Sequence, residues 1–317
     1  MHTHNHGHGH QHGHGGKLAE GAGHIRRIAN IGVGINIVLS VVQVVVGWMA
    51  GSLALMTDGI HTLSDMFTDL TVLIAVHFGG KKADSDHPWG HGRFETFAAG
   101  FVSLVLMSVG GLMIYKAITA IGAGRHTVAN AAVLFIALVC VASKEWLYWA
   151  AVKVAKKTNS TAVYANAWHH RSDALSSVAV ALGYVGLKLG WWWSDSAVAA
   201  GVGAMVVIVG AKVFNGVLSE FAEKAVDAEI IADIHKVLKE NPAIHDFHKL
   251  RTRSVGREVF IDLHILVDRN LTVEQGHTIA EDVTDELSEH LTVPANIIVH
   301  VEPDTEEIRK ASKEIDY

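Results

Sequence analysis

The chain has 317 residues, of which 50% are hydrophobic and 18% charged, with a mean hydropathy of +0.27 and a formal net charge of −6. This composition supports a membrane protein and offers no basic surface for a nucleic-acid partner. The single cysteine, Cys140, excludes an intramolecular disulfide and a thiolate metal cage.

The charge is unevenly spread: residues 1–220 carry a net +4 and residues 221–317 a net −10. That shift divides the chain into a histidine-rich tail (1–24), an apolar part (25–220) and an acidic soluble part (221–317). The tail alternates His2, His4, His6, His8, His10, His12 and His14 with small polar residues. Such a segment has no apolar content to fold, so it is expected to be disordered and to bind metal weakly and multivalently.

Six apolar stretches follow, at 29–49, 53–78, 97–117, 129–149, 161–187 and 196–213, and none contains a proline. Each approaches the roughly 20 residues a helix needs to cross a bilayer. Basic residues gather before the first span (Arg26, Arg27), after the second (Lys81, Lys82, Arg93), after the fourth (Lys153, Lys156, Lys157) and at the exit from the sixth (Lys212, Lys224). The asymmetry predicts six transmembrane helices in a cell inner or plasma membrane, with both termini cytoplasmic. Trp191, Trp192 and Trp193 fit an interfacial belt on the far side.

After residue 220 the pattern becomes that of a soluble domain. Helical spacing over 228–240 is followed by alternating strands at 245–253 and 258–267, a helix at 272–291 capped by Thr272, and a strand at 297–301. The order α-β-β-α-β predicts an α+β, ferredoxin-like cytoplasmic domain with its helices on one sheet.

Within the spans, His61 and Asp65 stand four residues apart, as do His169 and Asp173. Positions i and i+4 share a helix face, so each pair offers an imidazole and a carboxylate in one direction. Counting about 1.5 Å of rise per residue, the two antiparallel pairs come level near the midplane. Ionisable groups in hydrocarbon are costly and persist where they pair, line a cavity or bind an ion. Two imidazoles and two carboxylates suit tetrahedral Zn2+ and admit Co2+ or Cd2+. His170 and Arg171 read as packing or headgroup-facing residues, and Asp58 and Asp69 as weaker polar candidates. In the second connection, His87 and His91 are again four apart with Asp84 nearby, a triplet able to bind or collect a metal.

Together with the loop Asp84-Ser85-Asp86-His87-Pro88-Trp89-Gly90-His91-Gly92-Arg93 and the acidic tail, these motifs resemble the cation diffusion facilitator family of zinc exporters. The resemblance implies a homodimeric, proton-coupled antiporter, with His61, Asp65, His169 and Asp173 as the transport site. It implies a loop metal site at Asp84, His87 and His91, and a charge interlock between Arg93 and Glu223. It also implies a binuclear regulatory zinc site at His248, His264, His277 and His300, where Glu302 replaces the aspartate often found two residues after the last histidine.

In the implied cycle, an emptied site would leave two carboxylates in a low-dielectric cavity, so protons take the ion's place and the inward proton gradient drives export. The rivals are a membrane zinc-dependent hydrolase and a passive metal channel or sensor. The hydrolase fits poorly, because there is no His-Glu-x-x-His string and four ligands leave no position open for water.

Overall fold

The computed structural model describes residues 10–49, 53–122, 131–191 and 193–313. These form helices α1 (His10–Met49), α2 (Leu53–Gly79), α3 (Arg93–Gly122), α4 (Ala131–Thr158), α5 (Thr161–Lys188) and α6 (Ser194–Phe221). Then come α7 (Ala228–Glu240), β1 (Asp246–Val255), β2 (Glu258–Val267), α8 (Val273–His290), β3 (Ala295–Pro303) and α9 (Glu306–Lys313). The chain divides into two compact units: Ala22–Leu218, and the described parts of Met1–Gly21 and Ser219–Tyr317.

The first unit is helical. Four stretches among the described residues are long and apolar enough to cross a membrane: Lys17–Val46, Arg93–Ile121, Leu134–Thr158 and Ser196–Phe221. Helices α2 and α5 run for 27 and 28 residues, roughly 40 Å at about 1.5 Å per residue. Asp65 and Asp69 on α2, and His169, His170, Arg171 and Asp173 on α5, interrupt their apolar runs. Those interruptions are where the polar chemistry of the unit lies.

Its core joins Val72, Val76, Ala99, Val102, Leu147 and Ala165 with other buried side chains. The outward surface keeps large apolar groups such as Phe101, Leu112, Ile118, Trp146 and Ile208 exposed. An apolar exterior of this extent suits lipid. Alpha3 and α6 approach closely at two glycines, because a Cβ on Gly110 would lie 2.7 Å from the Gly203 carbonyl oxygen. Small residues permit such contacts between membrane helices.

In the second unit, β1 pairs antiparallel with β2 and β2 pairs parallel with β3, in the order β1-β2-β3. Alternate residues of β2 (Val259, Ile261, Leu263, Ile265, Val267) are buried with Ile234, Val237 and Leu238 of α7 and Val283 and Leu287 of α8. The α8 start is a capping box, in which Thr272 Oγ1 accepts from the Gln275 backbone N–H and Gln275 Oε1 accepts from the Thr272 N–H. Such a box satisfies two otherwise unpaired donors of the first turn. The sequence reading did not include α9.

The expected disorder of residues 1–24 is corrected by the structure over the part described, since α1 begins at His10. Lys17 donates to the carbonyls of Ser288 (2.6 Å) and Leu291 (2.9 Å), at the end of α8, and Arg257 donates to the Leu18 carbonyl (3.0 Å). A cation at a helix C-terminus satisfies its free carbonyls. These ties, invisible to composition, give the segment a packed partner. His2, His4, His6 and His8 lie outside the described residues.

Candidate metal centres

In the helical unit, ligand atoms of Asp65, His169 and Asp173 all lie within 4.8 Å of one another. His169 Nε2 is 3.6 Å from Asp65 Oδ1 and 3.9 Å from Asp173 Oδ2. Asp65 comes from α2 and the other two from α5, where the four-residue spacing puts both on one face. Buried alanines of α5 (Ala162, Ala165, Ala167, Ala174) and of α4 (Ala151, Ala155) are small enough to let helices approach. His61 precedes Asp65 by four positions on α2, but its side chain lies outside the described residues.

A residue the sequence reading passed over completes this cluster. Lys144 of α4 is 3% exposed, and its Nζ lies 3.2 Å from Asp65 Oδ2 and 3.0 Å from Asp173 Oδ2. A lysine inside an apolar run is itself a signal, since intramembrane charge is rare without a partner. Its ammonium bridges the two carboxylates as a divalent ion would. Both ring nitrogens of His169, which is 2% exposed, lack a hydrogen-bond partner among the described residues. A buried polar group left in that state is costly, which fits a site built to receive an ion.

One turn along α2, Asp69 is buried and receives hydrogen bonds from Asn36 and Asn166, with His170 Nε2 3.1 Å from its Oδ1. His170 is therefore turned inward to a carboxylate. Arg171 lies 4.4 Å from the Tyr148 ring centroid, close to Trp168 and Glu145, which makes it a packing residue of the α4–α5 pair.

The connection between α2 and α3 gathers Asp84, His87 and His91. Asp84 Oδ1 is 3.5 Å from His87 Nδ1 and Oδ2 is 3.4 Å from His91 Nε2. The loop folds on itself, as Asp84 Oδ1 accepts from the backbone N–H groups of His87 (2.7 Å) and Asp86 (3.0 Å). The His87 N–H is the main influence holding the Asp84 carboxyl below its ordinary 3.8. Gly90, at φ +80°, makes the turn that returns His91 to the aspartate.

The third cluster lies across the sheet. The register pairs His248 with His264 and His264 with His300, so the three imidazoles form a row, with Glu302 two positions further along β3. His264 Nδ1 is 2.7 Å, and His300 Nε2 3.5 Å, from Glu302 Oε1, and His248 Nε2 is 3.2 Å from Glu302 Oε2. A register shift between His248 and Arg251, with Lys249 at φ +50°, re-aims the strand after the first histidine. Burial pushes the His248 imidazole below its ordinary 6.5, against the pull of Glu302. Burial works to raise the Glu302 carboxyl, but the hydrogen bond with His264 and the histidine charges outweigh it and hold it below 4.5. Neutral imidazole and ionised carboxylate are the ligating forms, and this donor set fits Zn2+.

His277 stands apart from that row: it is 67% exposed on α8, with Nε2 3.3 Å from Glu281 Oε1. Glu223 meets Arg253 at 2.9 Å. Arg93 belongs to the other unit.

Residues 30–221 match the cation efflux transmembrane domain and residues 226–304 the cation efflux protein cytoplasmic domain. The chain is similar to the magnetosome protein MamB of Magnetospira sp. (strain QH-2), with 30% identity over 85% of this chain and 92% of that protein. It is also similar to the manganese efflux system protein MneP of Bacillus subtilis, with 29% identity over 89% and 97%. Magnetosome protein MamM of Paramagnetospirillum magneticum shares 34% over 81% and 82%. Family members are transporters of divalent metals, not enzymes, which removes the hydrolase reading. With both of its parts matched to cation efflux domains, the chain belongs to the cation diffusion facilitator family and is a multi-pass integral membrane protein.

Proposed function

We propose that this protein exports divalent metal, Zn2+ foremost, from the cytoplasm in exchange for protons. It works by alternating access around Asp65, His169 and Asp173, with His61 as fourth ligand, in a bundle of six spanning helices. The observation that carries the reading is the buried Asp65–His169–Asp173 cluster, with a cation already at its carboxylates. Two aspartates and imidazole nitrogen suit Zn2+ and also admit Cd2+; an all-oxygen set would favour Mn2+.

Lys144 changes the charge balance expected from the sequence. Its ammonium neutralises one of the two carboxylates of the empty site, so arriving metal displaces it and departing metal lets it return. One negative charge then remains for a proton to neutralise, and metal and proton compete for the same groups. A site presented in turn to the two sides couples the flows. The passive channel, by contrast, couples to no gradient.

Asp84, His87 and His91 collect metal at the second connection. His248, His264, His300 and Glu302 hold regulatory zinc, and His277 is kept as a further candidate on α8. The cytoplasmic domain pairs two copies into a homodimer.

Flux in sealed vesicles containing the purified protein tests the core of this reading. An outward proton gradient, acid inside the vesicle, should drive Zn2+ accumulation against its own gradient, and Asp173→Asn should abolish it. Zinc movement that only equilibrates, or that ignores the pH gradient, overturns the exchange.

A further inference from the structure

The Asp69 cluster is separate from the transport trio and no role described above uses it. Asn36 Nδ2 of α1 lies 3.1 Å from Asp69 Oδ2, and Asn166 Nδ2 of α5 lies 2.6 Å from Oδ1. His170 Nε2 is 3.1 Å from the same Oδ1 and 3.3 Å from Asn166 Nδ2. All four residues are at most 5% exposed. Gly32 on α1 keeps one side of the carboxylate clear, because a Cβ there would come within 3.3 Å of Asp69 Oδ2.

Asn36 Oδ1, Asn166 Oδ1 and His170 Nδ1 are buried with no hydrogen-bond partner among the described residues. The two orphaned oxygens lie on the far side of each carboxamide from Asp69, so only the group at the carboxylate sets which way the amides are turned. A carboxamide exchanges its oxygen and nitrogen by a half-turn about its last bond, at almost no change in shape. With both amides turned, two neutral oxygens stand beside the carboxylate and the imidazole nitrogen at spacings of 2.6, 3.1, 3.1 and 3.3 Å, close to those of neighbouring ligands around one cation. That is a four-donor cation cage.

We propose that Asp69, Asn36, Asn166 and His170 form a second divalent-cation station, which the metal occupies on its way to or from the Asp65–Asp173 site. Four residues along α2 separate the two aspartates, about 6 Å of helix rise. Two dications so close repel, which lets an ion arriving at one station help the other leave, as in multi-site conduction. The station carries one acid against the two of the transport trio, so it holds the ion more weakly. Its oxygen-rich set takes Mn2+ or Fe2+ as readily as Zn2+. The path rests on the transport reading above, whereas the cage itself does not.

Equilibrium dialysis of the purified full chain with radiolabelled Zn2+ tests the cage without any transport measurement. Asp69→Asn should lose one bound equivalent relative to the unaltered chain, Asp173→Asn another, and the double variant both. Should Asp69→Asn fail to fold, Asn36→Ala keeps the Asp69–His170 pair yet removes a carboxamide oxygen, and should weaken the same equivalent about tenfold or more. Full wild-type binding in Asp69→Asn, or in Asn36→Ala where only that variant folds, overturns the station and leaves a structural ion pair. Loss in Asp69→Asn but not in Asp173→Asn upholds the station and instead sinks the transport-site reading.

Discussion

The cluster between α2, α4 and α5 and the histidine row on β1–β3 use the same two side-chain types under opposite electrostatic conditions. At the first, Asp65 and His169 are 4% and 2% exposed; at the second His248 is buried too, at 7%, but the row opens outward, with the His264 and His300 side chains 26% and 61% exposed. Charge held in a dry interior must be balanced locally, because neither water nor salt screens it. Hence the helical cluster includes Lys144, whose ammonium sits within 3.2 Å of both carboxylates. The sheet row needs no such counter-ion: a single carboxylate, Glu302, touches all three histidines, and solvent does the rest. A site whose charge must be matched at every moment suits exchange of one cation for another. A site that tolerates imbalance suits reversible sensing.

The sharpest way to break that contrast is to unbalance the dry site. Asp173→Asn leaves Lys144 with one carboxylate in place of two, and loss of one partner of a buried ion pair costs about 3–5 kcal/mol. Vesicle flux should fall by about 100-fold or more, the factor such a figure implies. Wild-type flux would mean that the trio is packing and nothing more.

Removing the tethered cation should act in the opposite sense on binding. With Lys144→Met the metal has no competitor at Asp65 and Asp173, so equilibrium affinity for Zn2+ should rise about tenfold while turnover falls, because release then lacks a replacement ion. Lys144→Arg, which keeps the charge, should return affinity to near the wild-type value. Unchanged affinity in Lys144→Met would place the ammonium outside the exchange.

On the sheet side, His264→Ala with His300→Ala should raise the zinc concentration for half-activation about tenfold or more and leave maximal flux within about twofold, since disturbing even the outer partners of metal ligands typically costs about 10–100-fold in affinity. A collapse of maximal flux would show that the two sites are not separable.

Much of this contrast was legible in the sequence, and the part that was not follows from distance along the chain. Asp65, His169 and Asp173 were readable because i, i+4 spacing is local to a helix. The capping residue Thr272 and the bounds of α7 and β2 were readable for the same reason. Lys144 was missed because its partners are 79 and 29 residues away, and nothing local to α4 points to them. The row of His248, His264 and His300 required strand register, with a bulge after His248 that alternation cannot reveal. The start of α1 failed for a comparable reason, as Lys17 is anchored to carbonyls more than 270 residues away.

The smallest expected effect lies at the rim of the sheet, and its pH dependence separates rim from row. Asp304, just beyond β3, meets Arg309 of α9 at both carboxylate oxygens, and His245 Nδ1 lies 2.8 Å from Oδ2. The Arg309 hydrogen bonds chiefly, then His245, hold the Asp304 carboxyl well below its ordinary 3.8. A carboxyl depressed in the folded state contributes stability above its unfolded pKa, and that contribution is lost as pH falls from there through the folded value. Asp304→Asn should therefore lower the thermal midpoint slightly at pH 7, with the difference shrinking in high salt and vanishing in strong acid. Zinc binding at the row should stay as it is, because Glu302 and not Asp304 touches the imidazoles. A salt-independent difference, or one that grows below pH 3.8, would mean that Asp304 holds the strand end by packing and not by charge.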